Sequence, residues 1–273
     1  MAQEKTKMQD EDEFELSELL CQYYVTTDFF DIDEAFAQQL TEYKAAIREL
    51  FAETTNAKVK LMTAGVLARI DQPCDESVLP LLMEGLKGDD KVELVFSASC
   101  IGQLGSLSLP AMPLLVALLQ HEDEGVVYEA AKAMGRIGPE SIPHLLEALG
   151  SVTTCAGNAA AVALGEMGSV ATDAIPALHK CLDLDGDYWV KGLRLMAADA
   201  IWQITGDNSH VLTIAGKMLE DEDYVLCARA CAVLGEQGEA AQPYAKKLQQ
   251  LQQHSNAFVR QAASEALVRC WFG

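Results

Sequence analysis

The octapeptide Ala131-Lys-Ala-Met-Gly-Arg-Ile-Gly138 occurs in variant form along most of the chain. It returns as Ala98-Ser-Cys-Ile-Gly-Gln-Leu-Gly105, Ala161-Val-Ala-Leu-Gly-Glu-Met-Gly168 and Cys231-Ala-Val-Leu-Gly-Glu-Gln-Gly238. Weaker copies are Gly65-Val-Leu-Ala-Arg-Ile-Asp71 and Ala198-Asp-Ala-Ile-Trp-Gln-Ile-Thr205, and Val259-Arg-Gln-Ala-Ala-Ser-Glu-Ala-Leu267 is a closing half-copy. The last residues of the six copies fall at 71, 105, 138, 168, 205 and 238. A period near 33 predicts a repeat array in which neighbouring units share one core.

Each unit holds two helix-length apolar patterns. The first runs from a valine (Val59, Val126, Val190, Val225, Val259) through small residues to the Gly-x-x-Gly ending. The final glycine suits the left-handed residue that follows a helix. The second pattern is announced by Pro80, Pro113, Pro143, Pro176 or Pro243. Proline is tolerated in the first helical turn because the N–H it lacks has no helical partner there. Leucines follow, such as Leu145, Leu146 and Leu149. Alternating strand patterns with Asn-Gly or Asp-Gly turns are absent, so the expected fold is all-α, an α-solenoid of about six stacked antiparallel helix pairs.

Upstream, residues 1–30 read as an acidic, flexible tail. Residues 31–54 read as a capping helix, starting at Asp31 with Glu34 three residues on. Its stripe is Phe36, Leu40, Tyr43, Ile47, Leu50 and Phe51, and Glu53-Thr54-Thr55-Asn56 ends it. Residues 55–273 are the array. Residues 1–34 hold 11 acids and 2 bases, −9 of a total net charge of −21. That charge disfavours nucleic acid and anionic membranes, both of which need clustered cations. The first 20 residues lack the apolar stretch of a signal peptide, and no run approaches 18 apolar residues. Eight cysteines without a Cys-x-x-Cys pair fit a reduced, cytoplasmic chain.

The pattern Val126 to Gly138 followed by Ile142-Pro-His-Leu-Leu-Glu-Ala-Leu149 resembles the HEAT repeat. It is most similar to the short form named for phycobilisome-lyase HEAT-like repeats, as are Ala159 to Gly168 with Ala174-Ile-Pro-Ala-Leu178, and Ala200 to Gly206. The resemblance covers roughly 55–273 and implies architecture more than function. Units of this family carry Asp-x-Asp before the first helix and Arg after its Val. Here Arg260 keeps that Arg, Lys60 and Lys191 substitute for it, and Val127 and Leu226 replace it, so the resemblance implies an incomplete charge ladder and stacking that leans on apolar contact.

The related iron-dependent deoxyhypusine hydroxylases use several His-Glu pairs; of His121, His144, His179, His210 and His254, only His121 precedes a Glu. Chromophore-lyase activity attaches to the name of a repeat, not to a site. Asp183-Leu-Asp185-Gly-Asp187 lacks the glycine and glutamate spacing of an EF-hand. Cys227 and Cys231 share a helix face, yet Cys231 falls in an alanine column, as do Cys100 and Cys181, so core packing is expected. Nucleophile-elbow and phosphate-loop motifs are absent. The expected protein has no catalytic residue, no metal and no cofactor.

What remains is surface. Second helices of such arrays usually line the concave side. Counted from the proline column, the outward positions are Leu81/Glu84, Leu114/Ala117, His144/Glu147, Ala177/Lys180, Ile214/Lys217 and Tyr244/Lys247. Leu81, Glu84, Leu114, His144, Glu147, Lys180, Lys217, Tyr244 and Lys247 are the candidate partner-binding residues. The stripe runs from acidic to basic with apolar residues between, a mixture suited to protein recognition. Aromatics begin several units: Tyr128, Tyr188, Trp189, Tyr224 and Phe258. The loops Asp89-Asp90, Glu122 to Glu124, Asp183 to Asp187 and Glu220 to Asp223 are acidic. The favoured reading is a non-enzymatic scaffold or adaptor for a protein partner. The alternatives are an acidic inhibitor or immunity-type protein for a basic partner, and, least favoured, an enzyme of the lyase or hydroxylase kind.

Overall fold

The computed structural model describes residues 18, 20, 21, 38, 41–71, 77–152 and 154–272. The expectations for most of the acidic tail, for Asp31, Glu34, Phe36 and Leu40, and for Cys74 lie outside the described residues; within the tail, Glu18, Leu20 and Cys21 are helical and Leu20 is buried. The chain divides into two compact units, one up to Glu140 and one from Ser141 onward. All helices named below are α-helical, and the described residues contain no strand.

The first unit holds α1 (Lys44–Glu53), α2 (Ala57–Ile70), α3 (Val78–Gly85), α4 (Lys91–Gln103), α5 (Met112–Leu118) and α6 (Glu124–Ile137). The second holds α7 (Ile142–Leu149), α8 (Cys155–Glu166), α9 (Ile175–Leu182), α10 (Tyr188–Thr205), α11 (Ser209–Met218), α12 (Tyr224–Glu236), α13 (Ala245–Leu251) and α14 (Ala257–Phe272). Even-numbered helices are the first helices of the repeats and odd-numbered ones from α3 the second. Pro113, Pro143 and Pro176 stand second in their helices and Pro80 third. Pro243 departs from the expectation: it lies in the 3-10 turn Gly238–Tyr244, and the helix begins only at Ala245.

Starts and stops follow the sequence. Side chains of Asn56, Asp90, Asp123 and Asp223 accept backbone N–H groups that their helices leave unpaired. One aspartate in each of three of the four acidic loops is therefore a helix cap. Gly105, Gly168 and Gly238 have φ of 57°, 57° and 53°, and Gly206 takes that role after Thr205 at 79°. These values favour glycine over any residue with a Cβ.

The closest contacts between repeats run between first helices. A methyl built on Gly102 of α4 would lie 3.0 Å from the Cα of Ala133 in α6. On Gly165 of α8 it would lie 3.0 Å from the Cα of Ala200 in α10. On Gly235 of α12 it would lie 2.9 Å from the Cα of Ala266 in α14. Small residues thus let backbones meet where ordinary side chains would hold helices apart. Trp202 occupies the glycine column in α10, and α10 meets α12 much less extensively than it meets α8. Cys100, Cys181, Cys227 and Cys231 are buried as expected.

Polar links between repeats are present as well. Lys191 Nζ reaches Asp221 Oδ2 at 2.7 Å, the substitution the sequence suggested, and Lys91 Nζ reaches Asp123 Oδ2 at 3.0 Å, which it did not. Lys60 instead lies over the Phe51 ring, 5.6 Å from its centroid. Helix α1 docks through buried Ile47 and Phe51 and ends at Thr54 as its polar run dictates. Asp71, which caps α2, accepts from Arg48 Nε and Nη2 at 2.5 Å each and pairs with Lys44 at 2.8 Å. Burial alone would raise the Asp71 carboxyl, but the Arg48 and Lys44 hydrogen bonds outweigh it and hold it below its usual 3.8.

Two outcomes are expected. Gly165→Leu places a branched side chain against the Ala200 backbone and lowers unfolding free energy by about 1–3 kcal/mol in urea titration; an unchanged midpoint would mean the helices do not meet there. Asp71→Ala costs about 1.5–3 kcal/mol at pH 6. Because a depressed carboxyl stabilises above its unfolded pKa and loses that contribution as pH falls through the folded value, the gap between wild type and Asp71→Ala closes in acid, below about pH 4.

Candidate protein-binding surface

In the first unit Leu81 and Leu114 are half-buried beside fully buried Leu82 and Leu115. Glu84 is exposed and pairs with Lys87 at 2.7 Å. In the second unit His144 and Glu147 on α7, Lys180 on α9 and Lys217 on α11 are exposed. Buried Leu145, Leu178 and Ala215 anchor those helices from the opposite side. His179 of α9 and His210 of α11 meet edge to face with centroids 5.2 Å apart. Tyr244 is half-buried rather than outward, because its ring lies on Gly216 of α11, where a Cβ would overlap it. Lys247 pairs with Glu220 at 3.1 Å. Tyr244 and Lys247 thus have intramolecular roles that helical spacing did not indicate.

The other candidates for chemistry have structural partners. His121 Nδ1 accepts the Asp123 N–H at 3.0 Å, and His254 Nδ1 accepts the Asn256 N–H at 3.1 Å, so both rings order the turns before first helices. The Cys227 thiol points at the Leu219 carbonyl, 3.5 Å away, beside buried Cys231. Among the described residues no three His, Cys, Asp or Glu side chains stand close enough to hold a metal ion. Among the same residues no helix is long and apolar enough to cross a membrane.

A different surface emerges between α12 and α14. Tyr224, Val225, Ala228, Arg229 and Ala232 form one wall of a groove of about 560 Å³, and Phe258, Gln261, Ala262 and Glu265 form the other. The walls follow from spacing. On α12, Leu226, Cys227, Ala230, Cys231, Val233 and Leu234 turn inward to the core, and Val225, Ala228, Arg229 and Ala232 line the groove. The alanines keep the floor low, and the aromatics stand at the helix N-termini. Phe258 is 70% exposed and Tyr224 46%, so each wall of the groove carries one large solvent-facing ring. The other unit-opening aromatics differ: Tyr128, Tyr188 and Trp189 are half-buried, and the last two pack edge to face at 5.0 Å. The aromatic column was visible in the sequence. The groove was not, because its floor uses alanines indistinguishable from those of the helix crossings.

Residues 95–153 match the family of HEAT repeats, and residues 158–183 match the PBS lyase HEAT-like repeat. No curated protein matches the sequence. Among solved structures, the complex of CpcE and CpcF of phycocyanin lyase from Nostoc sp. PCC7120 is 18% identical, over 97% of this chain and 98% of that one, with a TM-score of 0.48. An archaeal HEAT-like repeats protein from Thermococcus onnurineus NA1 is 16% identical, over 83% and 96%, with a TM-score of 0.42. Human deoxyhypusine hydroxylase is 16% identical, over 86% and 98%, with a TM-score of 0.37. At these values the structural likenesses bear on neither activity nor partner. Period, capped helix pairs, glycine crossings and the two family matches agree: the chain is an α-solenoid, and within it residues 95–153 match HEAT repeats and residues 158–183 the PBS lyase HEAT-like repeat.

Proposed function

We propose that the chain is a non-enzymatic scaffold that binds a partner protein. In this reading the partner contacts the solvent face of the second helices, and the α12–α14 groove takes an apolar anchor. The groove carries the reading. Two aromatic rings exposed beside an alanine-floored channel are costly to leave in water and gain by being covered. The second-helix face adds charge that can orient a partner, since Lys180 and Lys217 are exposed and have no ion pair among the described residues. The absence of catalysis is part of the proposal, supported by the structural employment of His121, His254, Cys227 and Cys231.

Affinity purification from native cells with quantitative mass spectrometry tests this on three proteins. They are wild type, the groove-filled double variant Ala228→Trp/Ala262→Trp, and the charge-reversed triple variant Lys180→Glu/Lys217→Glu/Lys247→Glu. The specifically recovered partners should fall on the order of tenfold or more with the groove filled, as expected for losing an anchor worth at least about 1.4 kcal/mol. The triple variant should weaken them further as salt is lowered. Equal recovery by all three folded proteins would defeat the proposal.

A further inference from the structure

Asp199 on α10 is 7% exposed, in a column that elsewhere holds Ser99, Lys132, Val162 and Ala232. Its Oδ2 accepts one hydrogen bond, from Gln203 Nε2 at 2.7 Å on the same helix. Its Oδ1 is buried with no partner. The neighbouring α12 presents Glu236, whose charge acts on Asp199, and Arg269 of α14 acts in turn on Glu236. Arg229 and the thiols Cys227 and Cys231 are the other titratable or charged groups of α12 between Val225 and Glu236. Other elements packed on α10 contribute Glu166 of α8, Asp173 in the turn Gly168–Ala174, His179 and Lys180 of α9, and His210 and Lys217 of α11. All of these are exposed except half-buried His210.

A carboxylate so placed has one donor where an ionised group accepts several, and a like charge faces it. The neutral form carries no charge to desolvate and is not repelled by Glu236. The seam involved is also the looser one, where Trp202 stands in the glycine column and α10 and α12 touch less than their neighbours do.

We propose that the α10–α12 seam is a proton-controlled joint: it closes over neutral Asp199 and loosens when that carboxyl ionises beside Glu236. Burial first, and the charge of Glu236 second, push Asp199 up to about 7, against the Gln203 hydrogen bond that pulls it down. The raised value fixes the direction. Closure is strongest below about pH 4, where the carboxyl is neutral whether the seam is open or closed, and it declines as pH rises through about 7. Helix α12 is also one wall of the groove, so the joint would make anchor binding weaker at higher pH. That consequence rests on the proposed binding role, whereas the joint itself does not.

Hydrogen exchange of the intact chain without any partner, at pH 6 and pH 8 and corrected for intrinsic rates, tests the joint alone. Wild-type amides in the C-terminal half of α10 and in α12 should lose about tenfold in protection between the two pH values. Amides of α8, which meets α10 at the Gly165 crossing, should lose much less. Asp199→Asn should remove the pH dependence. Glu236→Gln, at an exposed position, should keep the fold and shrink the loss between pH 6 and pH 8, because without that charge the Asp199 carboxyl is pushed up less and the decline ends at lower pH. Seam protection equal at pH 6 and 8 in wild type, or the same pH dependence in Asp199→Asn or undiminished in Glu236→Gln, would overturn the proposal. Weak partner binding at every pH with the joint intact would count against the binding role instead.

Discussion

The stacked helices depend on backbone meeting backbone at Gly102 and Ala133, Gly165 and Ala200, and Gly235 and Ala266. At each crossing a glycine removes the one atom that would hold two helices apart. The alanine opposite offers a flat surface. The core can then be built from medium-sized residues, such as Leu164, Leu195 and Leu234, without leaving voids along the seam. The acidic and basic links between units, Lys91 with Asp123 and Lys191 with Asp221, lie at the rim, where such pairs contribute little stability and mainly favour one register.

The exceptions to that constraint are where the structure acquires properties beyond packing. Trp202 replaces the glycine in α10, the next seam is less extensive, and a buried acid with an unpartnered oxygen lies beside it. Between α12 and α14 the crossing is tight at Gly235, while nearer the N-termini Ala228 and Ala262 leave a channel between two exposed rings. One small-residue pattern therefore does two jobs. Turned toward the next helix it brings backbones together, and turned toward solvent it makes a floor.

The architecture was legible because each element left its own mark: a period near 33, prolines at second-helix starts, glycines with positive φ at first-helix ends, and Asp or Asn caps. The surface was less legible. Helical spacing placed His144, Glu147, Lys180 and Lys217 outward, and they are exposed. It also placed Tyr244 outward, although a glycine 28 positions earlier, Gly216, makes a seat for its ring. Periodicity gives the direction of a side chain from its own helix. It does not say which distant small residue leaves room for that side chain to fold back. Asp199 escaped notice for the same reason: its burial comes from helices packed around α10 rather than from its immediate sequence.

The most direct test of the account is a nuclear Overhauser measurement on selectively labelled protein, asking whether the Hα protons of Gly165 and Ala200, and of Gly235 and Ala266, lie within contact range. Strong cross-peaks for both pairs, with none between Trp202 Hα and the backbone of α12, are the predicted result. Absence of both cross-peaks in the folded protein would contradict the claim that these helices are held together by direct backbone approach.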